Sequence, residues 1–299
     1  MTFFVGLRST HTGTLHPAWQ GARQDLHPSL TILGSGYTAK ALLPLAECRY
    51  THVYATSRTP ERHLSHLNPE RRILFDLARP DTWASIPTET DVLWCFPAVP
   101  IELVRQFADA VSLGARRLVI LGSTSAYNDG ASSAYPPPWI DESTAIDTTI
   151  PRVKSEELLR TAYGGAVLRV AGIYGPDRNP LDWIKTGRVN RSRKYVNLIH
   201  IEDLSVTCLA ALRHAKSGDV YNVSDGHPRT WSEICELVER RWDIRSSVSD
   251  EPRPSGKRVS NTKMCKLLDL DQAGLHHTDL FEALEAIQKN TLNEAGPLR

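Results

Sequence analysis

The chain has 299 residues, 41% of them hydrophobic and 23% charged, with a formal net charge of +1. That length holds one large domain, or a core domain with a smaller lobe, and the near-neutral charge argues against a nucleic-acid or membrane surface as partner. No apolar run approaches the roughly 20 residues of a membrane-spanning helix. The five cysteines stand too far apart for a zinc or redox pair, so reduced thiols in a cytoplasmic protein are expected.

In chain order, residues 1–28 carry a single acid, Asp25, and read as a flexible extension ahead of the folded part. A transit peptide is the less favoured reading, and Phe3 to Leu7 is too short for a secretory signal. From Ser29 the pattern becomes strand, helix, strand. Leu30–Leu33 is a short apolar run stopped at Gly34, and Ala39–Ala46 reads as a helix. Strands follow at His52–Thr56, Arg72–Phe75 and Asp91–Phe96, the last stopped by Pro97. Ile101–Leu113 has helical spacing, Arg117–Leu121 is a fifth strand, Ser155–Tyr163 a helix and Ala166–Val170 a sixth strand. Short continuous apolar strands between helices predict an α/β fold with a doubly wound parallel sheet, covered on both faces.

After Val170 the alternation loosens. Gly187–Lys194 is a basic loop, Asn197–Ile201 a strand, Glu202–Leu212 a helix and Val220–Val223 a strand, with amphipathic helices at Trp231–Arg241 and Asp279–Lys289. Residues 29–170 are thus expected to form the domain built on the sheet. Residues 171–299 are expected to supply mainly a small α/β lobe over the strand ends, with some segments returning to the sheet. Ligands of open α/β sheets sit at that end.

Gly34-Ser35-Gly36-Tyr37-Thr38-Ala39 lies between the first strand and the first helix. The first glycine permits the tight turn, the second lets the backbone approach a pyrophosphate, and the small third residue lets the helix pack on the strand. The helix N-terminus then offers unpaired N–H groups and partial positive charge to the phosphates. Together these features predict a Rossmann-type dinucleotide site that includes Gly34, Gly36, Tyr37 and Thr38. An NAD site usually places an acid about 20 residues past the loop. Here the second strand ends instead in Thr56, Ser57 and Arg58. Hydroxyls and a guanidinium suit a 2′-phosphate that an acid would repel, so NADP is expected over NAD. The competing reading of Arg58 is a solvated surface arginine. Asp76 and Leu77, past the third strand, are candidates for the adenine edge, with a helix cap or turn as the alternative for Asp76. Pro97, at the end of the fourth strand, joins the cofactor candidates.

Further landmarks follow in order. They are Phe75-Asp76-Leu77, the Ser-Thr-Ser run of Leu121–Tyr127, Leu168–Pro176 with its Tyr174-Gly175-Pro176, Ile199–Leu204, Val220–Val223, and Val259–Lys263 with Leu267-Leu268. With the glycine loop these motifs resemble the extended short-chain dehydrogenase/reductases, the NAD-dependent epimerase/dehydratase family, over about Ser29 to Asp269. The resemblance implies an oxidoreductase or epimerase working beside a bound nicotinamide. In that family a Ser or Thr hydrogen-bonds the substrate, a Tyr passes the proton, and a Lys four residues later lowers the tyrosine pKa and holds the nicotinamide ribose.

Ser123 stands at the hydroxyl position, with Thr124 and Ser125 beside it, and Lys154 fits the lysine. Four residues before Lys154 stands Ile150, and no tyrosine of the chain has a lysine four residues after it. A placed proton carrier contributes about 10²–10⁴-fold in rate, so another group must carry the proton, or turnover is lost. Tyr127 ranks first among Tyr127, Thr124, Asp141 and Tyr174, because it follows the strand bearing Ser123. Its plainer role is packing, and the plainer roles of Lys154 and Ser123 are a solvated lysine and a loop cap. This departure resembles the atypical members of the family, which keep the loop and lose the tyrosine.

Lys185, Arg188, Arg191, Arg193 and Lys194 fall in one short stretch where the family covers its substrate. They are suited to a diphosphate or carboxylate, or form a solvated basic loop. The expectation is an NADP-dependent oxidoreductase or epimerase on a small polar or sugar-like substrate, monomeric or homodimeric. The alternative is a non-catalytic NADP(H)-binding sensor.

Overall fold

A computed structural model describes residues 27–127, 134–248 and 256–295. The expected N-terminal extension therefore lies outside the described residues as far as residue 26. The first half runs β1 (His27–Leu33), α1 (Tyr37–Ala46), β2 (Tyr50–Ser57), α2 (Pro60–His63), β3 (Arg72–Leu74), β4 (Asp91–Trp94), α3 (Ile101–Ala110) and β5 (Leu118–Ser123). It continues through β6 (Trp139–Ile140), α4 (Pro151–Tyr163) and β7 (Ala166–Val170). The second half holds β8 (Gly172–Tyr174), α5 (Pro180–Lys185), β9 (Tyr195–Val196), β10 (Leu198–His200), α6 (Ile201–His214) and β11 (Val220–Val223). It ends with β12 (Arg229–Thr230), α7 (Trp231–Trp242), β13 (Arg258–Val259), α8 (Thr262–Leu270) and α9 (Leu280–Ala295).

The central sheet has seven strands in the order β11-β7-β5-β4-β1-β2-β3, and every pairing in it is parallel. This is the doubly wound sheet expected from the apolar runs. Leu30, Ile32 and Leu33 of β1 are all fully buried, which requires cover on both faces. One face packs on α1, α6 and α8 through residues such as Leu42, Leu204 and Leu267. The other packs on α3 and α4 through Phe107 and Leu159. Phe107 meets Phe75, Trp83 and Trp94 at ring-centroid distances of 5.0, 5.6 and 5.7 Å.

The chain winds outward through β1, β2 and β3, then returns to place β4 on the other side of β1. That reversal opens a crevice between the ends of β1 and β4, the usual ligand position in such sheets. The lobe is a separate apolar layer in which Leu181, Leu198, Ile234, Val238 and Leu284 are packed together. α7 starts at a capping box between Thr230 and Glu233, which satisfies two otherwise orphaned N–H groups. α4 starts with Pro151 and stops at Gly164 with φ +70°, so the helix expected from Ser155 gains a turn at its N-terminus. After the lobe's first elements the chain rejoins the sheet as edge strand β11 beside β7.

Candidate functional site: a dinucleotide cradle and the cleft beside it

The glycine loop lies in the crevice. Gly34 has φ +110°, a left-handed conformation open to glycine at little cost, and it packs toward Cys95 and Phe96 at the end of β4. The Gly34 N–H donates to Thr56 Oγ1 at 2.8 Å, so the loop is fastened to the end of β2. Gly36 is the N-cap of α1 and has no side chain to cap the helix. A Cβ at Gly36 would meet no atom within 4 Å. An uncapped helix end facing open space fits a pyrophosphate that approaches along the axis. Thr38 is buried in the first turn. Tyr37 is turned toward the lobe: its hydroxyl donates to the Pro176 carbonyl at 2.7 Å, and the Arg178 guanidinium lies 5.3 Å from its ring centre. Burial pushes the Tyr37 phenol up to about 12.

At the end of β2 the three residues read from the sequence divide. Thr56 is fully buried and its oxygen is taken by Gly34. The Ser57 hydroxyl accepts from Thr59 N at 3.1 Å and lies 3.1 Å from His63 Nδ1, while Arg58 is exposed. Thr59 and His63, joined at 3.2 Å, complete a polar rim that sequence reasoning missed. Their signal was weak, because His63 reaches the rim only through the single turn of α2. Asp76 Oδ1 accepts from Ala78 N at 3.0 Å, a turn role for that oxygen, and Leu77 is buried in the core under that turn. Pro97 is exposed just past β4.

Across the crevice, Ser123 ends β5 and caps a short helical turn, Thr124–Ala126, with its Oγ accepting from Ser125 N. Tyr127 is 2% exposed. Its hydroxyl donates to Asn222 Oδ1 at 2.6 Å and accepts from Arg169 at 2.8 Å, and burial raises its pKa. This phenol is thus buried near the carboxyl ends of β5, β7 and β11 and committed on both sides. Tyr174 is fully buried. Asp141 holds its carboxyl below the usual range through hydrogen bonds from Ser143, so it is no proton donor near neutral pH. Ile150 is the N-cap of α4, and Lys154 N donates to its carbonyl at 3.0 Å. The Ile150 and Lys154 positions are therefore one helical turn apart, as the resemblance requires, and Lys154 is exposed.

The same helix brings in two residues that the sequence reading passed over. Arg152 donates to Ser125 Oγ at 2.9 Å and to Glu156 Oε1 at 2.7 Å. Glu156 is 2% exposed and lies against Gly122, where a Cβ would come within 2.8 Å of its carboxylate. Burial, outweighing Arg152, raises its carboxyl to about 7. Lys257 Nζ donates to the carbonyls of Thr124 at 3.0 Å and Tyr127 at 2.7 Å, which ties the segment entering β13 to the Ser123 turn. The basic stretch is largely spoken for. Arg191 pairs with Glu239 at 2.7 Å, and Arg188 and Arg193 lie 5.5 and 4.1 Å from the ring centres of Trp183 and Tyr135.

No family model matches the chain. Protein YeeZ of Escherichia coli K12 is 29% identical over 136 residues, 43% of this chain and 47% of that protein. The chain thus spans about half the length of the curated relatives it matches. Among solved structures, a protein from Methylobacillus flagellatus classed as an NAD-dependent epimerase/dehydratase superposes with TM-score 0.69 at 22% identity, covering 90% of this chain and 100% of that one. A short-chain dehydrogenase/reductase superfamily protein from Agrobacterium tumefaciens with bound NAD gives 0.68 at 14%, covering 89% and 99%. Human epimerase family protein SDR39U1 with NADPH gives 0.65 at 16%, covering 88% and 99%. At these identities the likeness establishes the fold: a Rossmann-type sheet as in the epimerase/dehydratase and short-chain dehydrogenase/reductase proteins. Among the described residues no helix is long and apolar enough to cross a membrane.

Proposed function

We propose that this chain is an NADP(H)-binding protein of the extended short-chain dehydrogenase/reductase kind, acting as an oxidoreductase or epimerase on a small polar or sugar-like molecule. The observation that carries the reading is the open, uncapped end of α1 at Gly36, set in the crevice between β1 and β4. Gly34 and Gly36 would take the pyrophosphate, and Arg58, with the Thr59 and His63 rim, the 2′-phosphate. Lys154 would take the nicotinamide ribose. When bound, the nicotinamide supplies or accepts a hydride. The chain's own part is to orient the substrate through the Ser123 turn, held in place by Arg152 and Lys257.

A second reading is favoured by one observation, the sealed Tyr127 hydroxyl, in a chain whose α4 begins at a proton-inert Ile150. On that reading the protein senses NADP(H) without turning it over. Fluorescence titration with NADPH and NADH tests the shared premise. Saturation by NADPH at lower concentration than NADH is expected, and failure of both to saturate would sink both readings. Ligand density in the lobe cleft, within hydrogen-bond reach of Ser123, would then separate the enzyme from the sensor.

A further inference from the structure

At the junction of β10 and α6, three side chains from two distant segments converge. His200 ends β10, is 3% exposed, and is held edge-on against Tyr174 at a ring-centroid distance of 5.1 Å. His277 arrives from the connection between α8 and α9 and lies against His200, the ring planes tilted by 37° and the ring centres 3.6 Å apart. Glu202 lies one step into α6. Its Oε2 is 2.8 Å from His277 Nε2 and 4.0 Å from His200 Nδ1. One donor atom from each of the three lies within 4.8 Å of the other two. The backbone is set for this approach, because the buried Asp203 carboxylate accepts from His276 N at 2.9 Å and His277 N at 3.0 Å.

We propose that His200, Glu202 and His277 bind a divalent transition-metal ion of the zinc type, with the remaining position open to water. Two imidazoles and one carboxylate form a donor set such ions prefer, and calcium and magnesium, which favour oxygen ligands, do not. Zinc bonds of about 2.1 Å in a tetrahedron place ligand atoms about 3.4 Å apart. The two distances to Glu202 lie on either side of that value, and the two imidazoles, whose ring centres are 3.6 Å apart, splay so that both lone pairs face one ion. His200 Nδ1 now accepts only a long 3.4 Å hydrogen bond from Glu202 N, a lone pair that a metal takes over at small cost. The Glu202 side chain is 65% exposed, which gives the ion an entry and a water-filled position. This site stands on its own residues, whether or not a dinucleotide binds.

The experiment uses the full chain without an affinity tag, metal-free, titrated with cobalt(II) and then zinc(II). One equivalent of cobalt should produce a four- or five-coordinate visible spectrum that zinc abolishes. His277→Ala and Glu202→Gln should each weaken zinc by at least tenfold, in line with the loss of a ligand or its support, while His52→Ala, away from the cluster, changes nothing. Circular dichroism melts report folding. Glu202→Gln, at an exposed position, keeps the test decisive if His277→Ala fails to fold. Absence of stoichiometric binding, or equal binding by wild type and both variants, would overturn the proposal.

Discussion

Gly34 and Gly36 are two residues apart and serve different physical ends. At Gly34 the backbone itself needs glycine, with φ +110°. Gly34→Ala should therefore cost about 1–2 kcal/mol of stability, read as a lower midpoint in urea. At Gly36, φ is −77° and a Cβ meets open space. Gly36→Ala should fold with at most a small loss of stability, yet lose at least tenfold in NADPH affinity, because the methyl would fill the place proposed for a phosphate. A variant that binds NADPH normally would show that the pyrophosphate lies elsewhere. Arg58 and Lys154 form a second contrast. Arg58→Ala should weaken NADPH by about tenfold to a hundredfold, the scale of a charge-assisted contact, and leave NADH unchanged. Lys154→Ala should weaken both alike, since both carry the nicotinamide ribose. Equal loss of both dinucleotides in Arg58→Ala would remove the argument for a 2′-phosphate.

Elements were legible where one short segment carries its own signal. The apolar runs gave the sheet strands to within a few residues, and the glycine loop stood out because strand, turn and helix start are contiguous. Partners brought together by the fold were not legible. Nothing in the sequence around Glu156 marks it as buried, and only the missing side chain of Gly122 on β5 makes room for it in the interior. The Tyr127 hydroxyl likewise finds Arg169 on β7 and Asn222 on β11, so its neighbours in sequence gave no hint of its burial. Glu156 has a measurable consequence. Below its unfolded value of 4.5 the carboxyl is protonated whether the chain is folded or not. Between 4.5 and about 7 the unfolded chain gives up the proton and the folded chain retains it. Stability therefore falls as pH rises through that window, by up to about 3 kcal/mol, and levels off above it. Glu156→Gln should remove this decline, so that its melting temperature gains on wild type from pH 5 to pH 7. Parallel pH profiles for the two proteins would contradict the assignment.

For the molecule as a whole, a ligand specific to the folded state adds stability by mass action. NADPH at a hundred times its dissociation constant should add about 2.7 kcal/mol, a rise of several degrees in the melting temperature, and a Gly36→Ala variant that binds tenfold more weakly should lose about half of that rise at the same NADPH concentration. A different consequence follows from β11. The chain leaves the sheet after β7, builds part of the lobe, and comes back to lay an edge strand along β7 and the helices α6 and α8 across one face. A chain stopped after Val170 would keep six strands but lose the cover over Leu42, Leu93 and Leu168. The two layers are therefore interwoven by the path of the chain and cannot unfold in turn. Calorimetry should record one heat-absorption peak whose van't Hoff and calorimetric enthalpies agree, and two resolved peaks would mean that the lobe melts on its own.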